Sequence, residues 1–179
     1  MAFWKVCFLM GQLIGLGVAQ TDGPVPPVEL REFEEIRKAS CPESYQVCGK
    51  FCYRVFTDLK TWTEAEAQCS FHQEDNPKGP AHLVSILNQQ ENDFVVDLWR
   101  ATNPPKTGCF NAPWIGLSNT NDNDNIGFIW SDGKPFGDYN NLKCQPNTNP
   151  NKLCVSLRRG FWKTNSCERK MPYICKVPL

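Results

Sequence analysis

The sequence has few side chains suited to acid–base catalysis, because its 179 residues include only two histidines, His72 and His82. It contains no Gly-rich phosphate loop and no paired-carboxylate motif. The string nearest to a nucleophile elbow, at residues 116–120, lacks the second glycine. We interpret His82 as a packing or surface residue, since the sequence places no cysteine or carboxylate partner beside it. An enzyme is therefore not expected.

Long apolar runs are absent after the first 19 residues. That leader combines Lys5, an apolar run over residues 6–18 and small residues before Ala19, a pattern typical of a secretory signal peptide. A signal anchor, the alternative, would need about 20 apolar residues, and this run is shorter and interrupted by three glycines. We predict cleavage near Ala19, secretion to the extracellular space and a mature chain with no membrane span.

The sequence also lacks a net charge of either sign, since 19 Lys and Arg residues balance 19 Asp and Glu residues. Together with secretion, this balance disfavours nucleic acid as a partner. The bases are nevertheless concentrated at residues 152–176, where Glu168 is the only acid. Such a cluster is either a solvated surface or a cationic face for an anionic ligand, such as a sulfated or sialylated glycan or an acidic protein patch. The bases concerned are Lys152, Arg158, Arg159 and Lys163.

Cysteine, in contrast, is abundant. The chain has ten cysteines, and removal of the leader with Cys7 leaves an odd number. In a secreted domain this count indicates a disulfide framework with one thiol left over. The group Cys41, Cys48 and Cys52 could also suggest a metal site, but no histidine lies near it, and secretion favours disulfides.

Local patterns predict two helices. Thr61 to Glu64 fits a capping box, and the helix that follows should end near Phe71. Asn88 to Glu91 resembles a second cap, with a helix to Ala101. Residues 118–125 are mostly Asn, Asp, Ser and Thr, so we predict a solvated loop there.

Two apolar runs near the middle of the chain predict buried strands. Trp114 to Leu117 contains Gly116, a position at which another backbone should pass closely. Phe128 to Trp130 is followed by a turn at Ser131 to Gly133. After this turn no periodic pattern appears until Cys154, which indicates a long functional loop.

The order of these motifs resembles that of a C-type lectin-like domain over residues 41–176. The resemblance implies an α+β fold with two helices, two small antiparallel sheets and a long irregular binding loop, stapled by disulfides. We accordingly divide the chain into a signal peptide (1–19), a Pro-rich acidic linker (20–40) and a C-type lectin-like domain (41–179). The motifs that carry the resemblance are Trp114-Ile115-Gly116-Leu117, Trp130-Ser131-Asp132-Gly133, Gln145-Pro146-Asn147, Cys154, Phe161-Trp162, Cys167 and Tyr173-Ile174-Cys175.

The resemblance also implies three disulfides and leaves three cysteines outside the usual set. A fourth bond between Cys109 and Cys144 would pin the long loop to the strand that enters the core. Cys48 would then either join a second chain in a disulfide-linked dimer or stay buried and free. The three implied bonds are Cys41–Cys52, Cys69–Cys175 and Cys154–Cys167.

In calcium-dependent members of this family, the long loop and the strand that holds Trp162 bind a Ca²⁺ ion that sugar hydroxyls ligate. Ca²⁺ prefers six to eight oxygen ligands, several of them anionic. Here the loop carries amides in place of the carboxylate, and ammonium groups stand at the other ligand positions, so we expect the Ca²⁺ site to be absent or weak. The remaining candidates for Ca²⁺ are Gln145 and Asn147, with Asp122 and Asp124 as either an accessory site or a solvated tip.

We therefore interpret the chain as a secreted carbohydrate-binding protein whose usual calcium site is degenerate. Its partners would be glycans or glycoproteins, including anionic ones. The alternative is a calcium-independent protein-binding, matrix or mineral-associated protein that uses the fold without sugar binding. The predicted binding face consists of Gln145, Asn147, Lys152, Trp162 and Lys163, with Trp162 a core residue more than a platform for the sugar.

Overall fold

A computed structural model of the chain describes most of the residues from Cys41 to the C-terminus. The predicted signal peptide, the linker and the residues Cys109, Cys144, Gln145, Asn147, Lys152 and Asp124 lie outside the described part. For residues 120–122, 125 and 126 only the backbone is described. The described residues are 41–71, 78–102, 104, 112–122, 125–143 and 153–179.

The two predicted helices are present. Helix α1 spans Trp62–Phe71, and its start is a capping box in which the Glu64 amide donates to Thr61 Oγ1 while the Glu64 carboxylate accepts from the Thr61 amide. Helix α2 spans Gln89–Ala101 and begins at Asn88, whose side chain accepts from the amide of Glu91. Both boundaries agree with the predictions because caps are local sequence features.

Eight strands form the rest of the described fold. They join into one sheet in the order β1-β2-β8-β4-β6-β7, with β3 paired to β8 and β5 paired to β4. The strands are β1 (Gln46–Cys48), β2 (Phe51–Lys60), β3 (His82–Leu83), β4 (Trp114–Asp122), β5 (Asn125–Trp130), β6 (Cys154–Arg158), β7 (Phe161–Asn165) and β8 (Met171–Pro178).

The sheet differs from the predicted pair of small antiparallel sheets in one respect. Strand β4 pairs with β8 in parallel at Trp114 and Tyr173, and this contact joins the two antiparallel groups into a single mixed sheet. The α+β architecture with two helices is confirmed. The pairing of β4 with β8 could not be predicted from the sequence, because it consists of one pair of residues from distant segments.

The prediction of a solvated loop at residues 118–125 was wrong for most of its length. Strands β4 and β5 remain paired as far as Asp122 and Asn125, so the segment is a hairpin. Strand pairing uses backbone N–H and C=O groups, and a polar run can therefore form a two-stranded ribbon without an apolar face.

Gly116 is the close backbone approach that the sequence predicts. A β-carbon built at this position would lie 2.6 Å from the carbonyl oxygen of Leu83 and 2.7 Å from Ser131 Oγ. The Gly116 amide donates to the Val84 carbonyl, and the Ser131 amide donates to the Gly116 carbonyl. A side chain here would separate β4 from the segment that follows β3.

The three disulfides implied by the family resemblance are present. Cys41–Cys52, Cys69–Cys175 and Cys154–Cys167 have Cα–Cα separations of 5.5, 5.5 and 5.1 Å. Cys48 is also disulfide-bonded, which excludes the free thiol, one of the two alternatives given for it. Its bonding partner lies outside the described residues, and an intermolecular link through Cys48 would require this bond to be exchanged.

The core places the site strands on a rigid base. Its largest cluster includes Trp130 and Trp162 together with Leu157 of β6 and Trp99 of α2. Trp162 is fully buried. The face of the sheet next to the long loop is therefore built on close-packed aromatic side chains.

Candidate functional site

The β6–β7 hairpin carries the two predicted site residues that the structure describes. Along β7 the side chains alternate, with Phe161 and Lys163 exposed and Trp162 buried between them. This is the pattern of a strand with one covered face. Lys163 therefore faces solvent, while Trp162 faces the core.

Trp162 supports the site from below and offers no surface to a ligand. Its exposed fraction is 0%, and its indole Nε1 donates to Asn92 Oδ1 at 2.9 Å. Trp130 and Tyr139 contact the ring edge to face, each with ring centroids 5.4 Å away. This burial agrees with the interpretation of Trp162 as a core residue more than a platform, and its role is to hold β7 in place.

The polar residues that follow Lys163 are turned into the protein. Thr164 is 2% exposed and Asn165 is 8% exposed. The Asn165 amide group donates to Ser156 Oγ at 2.8 Å and to the Lys163 carbonyl at 2.9 Å. Strand β7 therefore presents a base at its surface and contains no carboxylate.

Both ends of the segment 144–152 are held next to these strands. On the N-terminal side, the Trp162 amide donates to the Asn141 carbonyl and the Lys143 amide donates to the Trp162 carbonyl. On the C-terminal side, the Asn119 amide donates to the Leu153 carbonyl at 2.7 Å. The loop that carries Gln145, Asn147 and Lys152 thus starts and ends on the same sheet as Lys163.

The structure adds one base to the predicted cluster, and the last base of the segment 152–176 does not reach the surface. Lys176 is buried and paired with Glu91, so it contributes nothing to a surface charge. Lys143 belongs to the cluster although sequence analysis missed it, because its Nζ lies 3.3 Å from the ring centroid of Phe161. A contact of this kind is cation–π in character. It joins two segments that no sequence spacing brings together.

Outside the hairpin, the titratable groups serve structure. His82 Nδ1 lies 2.6 Å from Glu66 Oε1, and this hydrogen bond raises the pKa of the His82 imidazole. Asp132 accepts from Ser85 and from Lys134. Burial by itself would raise the pKa of the Asp132 carboxyl. The hydrogen bonds from Ser85 and Lys134 outweigh this effect, so the pKa is lowered.

No group of three or more metal-ligating His, Cys, Asp or Glu residues occurs among the described residues. The predicted candidates Gln145, Asn147 and Asp124 lie outside that part, and only the backbone of Asp122 is described. No helix in the described part of the chain is long and apolar enough to cross a bilayer.

Comparisons with known proteins agree with this architecture. Residues 58–177 match the model of the lectin C-type domain. The chain is 33% identical to the alpha-N-acetylgalactosamine-specific lectin of Patiria pectinifera over 131 residues, which are 70% of this chain and 73% of that protein. It is also 33% identical to rat (Rattus norvegicus) regenerating islet-derived protein 3-beta over 147 residues, or 78% of each chain.

The fold is also similar to that of a solved structure. Human lithostathine superposes with a TM-score of 0.65 at 29% identity, covering 78% of this chain and 100% of that chain. The disulfide pairs, the two helices and the buried Trp114, Trp130 and Trp162 fit the same fold. The chain therefore belongs to the C-type lectin-like domain family.

Proposed function

We propose that the chain is a secreted carbohydrate-binding protein that works without the calcium site usual in its family. It binds glycans or glycoproteins and does not act on them as an enzyme. Membership of a family that includes a sugar-specific lectin at 33% identity supports the binding of sugars. Secretion after cleavage near Ala19 remains a prediction from the composition of residues 1–19.

The proposal that binding does not need calcium rests on the residues of β7 and on the direction in which their side chains point. At the strand positions where calcium-dependent relatives supply ligands, this chain has an exposed Lys163 and a buried Thr164. Two unit charges of like sign 4 Å apart repel by about 4 kcal/mol at an effective dielectric constant of 20. An ammonium group therefore opposes a dication in the place where a carboxylate would attract one.

The proposed sugar contacts come from the loop and from β7 together. Gln145 and Asn147 would hydrogen-bond sugar hydroxyls, and Lys152 and Lys163 would engage sulfate or carboxylate groups on an anionic glycan. The hydrogen bonds of Lys143 and Leu153 support this arrangement, because they hold the residues that flank the loop against the strands. Trp162 fixes the strand from the core side.

The rival function is calcium-independent protein binding, or a matrix or mineral-associated role, without recognition of sugar. The same feature of β7 favours it, because a strand that has lost its metal ligands also lacks the usual means of holding neutral sugars. The two functions differ in whether the loop retains the geometry of a lectin.

A double variant tests that geometry. In Asn147→Asp/Lys152→Glu, two carboxylates replace an amide and an ammonium in the loop, so Ca²⁺ gains anionic oxygen ligands. The expected result is retention on immobilised neutral sugars that appears with Ca²⁺ and is lost in EDTA. The matched control is Asn147→Asp/Lys50→Glu. It changes the net charge by the same amount but places one of the two carboxylates away from the loop. A folded double variant that behaves like the unmodified protein would contradict a lectin-like loop and favour the rival function.

A further inference from the structure

The turn between β6 and β7 holds an arginine in an unfavourable backbone conformation. Arg159 and Gly160 connect the paired residues Arg158 and Phe161, with φ angles of 53° and 87°. Glycine adopts the left-handed region freely, whereas a residue with a β-carbon is strained there. Asparagine, aspartate or glycine would suit this position better. Turn formation therefore does not explain the arginine.

The side chains around this turn form one face, which we call the cationic hairpin face. Arg158 and Phe161 are directly opposite in register, so their β-carbons are about 5 Å apart. Lys163 follows Phe161 on the same side of β7, about 7 Å further along. Lys143 lies over the ring of Phe161. The face consists of Lys143, Arg158, Arg159, Phe161 and Lys163.

Among the described residues, no carboxylate compensates the positive charge of this face. The ion pairs between two described residues involve the bases Lys60, His82, Arg100, Lys134 and Lys176. None of the four bases of the cationic hairpin face pairs with a described carboxylate, and all four are exposed. The fields of neighbouring bases reinforce one another where their separation does not exceed the Debye length, about 8 Å at physiological ionic strength.

The face is also held rigidly. The Gly160 carbonyl, at the turn itself, accepts from Asn141 Nδ2 at 2.7 Å and from Asn92 Nδ2 at 3.4 Å. Asn92 is 2% exposed and also accepts from the indole of Trp162. The turn is thereby tied to helix α2 and to the core, so a ligand would not have to order the backbone on binding.

The chemistry of the face selects between two kinds of anionic partner. A protein interface usually depends on an apolar or aromatic anchor that becomes fully buried. Phe161 is 39% exposed, but the ammonium group of Lys143 occupies one side of its ring at 3.3 Å. Apart from the part of the Phe161 ring that stays exposed, the face offers charge and hydrogen-bond donors. Guanidinium groups match the oxygens of sulfate in a planar, bidentate manner.

We propose that the cationic hairpin face binds a sulfated polysaccharide. This inference goes beyond the proposed sugar-binding loop, because Lys143, Arg158 and Arg159 are not part of that loop and the binding needs neither Gln145 nor Asn147. Arg158 and Arg159 bind sulfate groups at the tip of the hairpin. Lys143 and Lys163 extend the contact along the chain of the polymer.

The test measures binding of the full secreted chain to dextran sulfate, with neutral dextran and poly-glutamate as comparison ligands, over a range of salt concentrations. Binding to dextran sulfate that falls with rising salt is expected, with none to neutral dextran. Arg158→Gln/Arg159→Gln should weaken it about tenfold, within the limit of about 25-fold that two exposed charge pairs of up to a factor of about five each allow. Lys143→Gln should weaken it separately, by a smaller factor.

The matched control is Lys50→Gln/Arg100→Gln, which removes two exposed bases elsewhere and should leave the affinity unchanged. Thermal unfolding of each variant verifies that it is folded. Equal loss in the control and the hairpin variants would overturn the proposal by showing an unspecific effect of net charge. Tighter binding to poly-glutamate than to dextran sulfate would overturn it in favour of an acidic protein partner. Failure of the Asn147→Asp/Lys152→Glu test would leave this result unaffected, so the two proposals fail separately.

Discussion

Lys176 of β8 and Glu91 of α2 form an ion pair that is almost entirely buried, with exposed fractions of 5% and 8%. The Lys176 ammonium also donates to the Ser85 carbonyl at 3.0 Å. The Glu91 carboxylate accepts from the Tyr53 hydroxyl at 2.7 Å and from the Leu87 amide at 2.9 Å. The pair thus fastens the start of α2 to the centre of the sheet, with both charged groups hydrogen-bonded.

Removal of one partner should be strongly destabilising. Burial lowers the pKa of Lys176 and the Glu91 carboxylate opposes this effect, so the charge on Lys176 depends on Glu91. Lys176→Met leaves Glu91 charged without its partner, and we expect a loss of about 3–5 kcal/mol in the free energy of unfolding. Urea denaturation followed by tryptophan fluorescence measures the loss.

Two further variants show whether the charge or the packing is responsible. Lys176→Met/Glu91→Gln removes both charges and should regain a large part of the lost stability. Lys170→Met, at an exposed base, should change the stability by less than about 0.5 kcal/mol. A double variant as unstable as Lys176→Met alone would show that the loss came from packing.

Gly116→Ala tests the close approach between β4 and the segment after β3. The new methyl group would meet the Leu83 carbonyl oxygen at 2.6 Å, and relief requires a backbone shift. We expect a loss of about 1–3 kcal/mol, in line with overpacking of a closed site. Gly127→Ala is the matched control, because a β-carbon there would have no neighbour within 4 Å. Equal stability of the two variants in thermal unfolding would show that the approach is not tight in solution.

The His82–Glu66 pair should make stability depend on pH. The hydrogen bond to Glu66 raises the pKa of His82. The negative charge of Asp132 raises it further, whereas burial and the positive charge of Lys134 lower it. The unfolded pKa is about 6.5, so the stabilisation is complete below that value and is lost as the pH rises through the higher folded pKa. His82→Gln should therefore destabilise the protein more near pH 5.5 than near pH 8.5. A difference between the two proteins that stays constant across this range would contradict the charged pair.

Sequence analysis predicted the parts of the fold that rest on local chemistry. The caps at Thr61 and Asn88 and the glycine at position 116 each follow from a few neighbouring residues. The disulfides followed from the family resemblance. Residues 118–125 were wrongly predicted to be a loop because their side chains are polar. Their strand pairing uses backbone groups, which the side-chain pattern does not reveal.

The surface of the site could be predicted only in part. Lys163 is an exposed base on the strand of Trp162, and its predicted role in ligand binding stays a prediction. The burial of Lys176 depends on Glu91, which is 85 residues away in sequence. The place of Lys143 depends on its contact with Phe161. Such contacts between distant segments are set by the fold, and no periodicity along the chain records them.

The most direct test of the account is a glycan-array binding profile of the disulfide-bonded mature protein, run in parallel with Ca²⁺ and with EDTA. The exposed Lys163 and the absence of a carboxylate from β7 predict sugar binding that survives EDTA. That binding should include anionic glycans and weaken as the salt concentration rises. Binding to neutral sugars that is lost in EDTA would contradict this account by demonstrating a working calcium site. A complete lack of binding to any glycan would contradict sugar recognition itself.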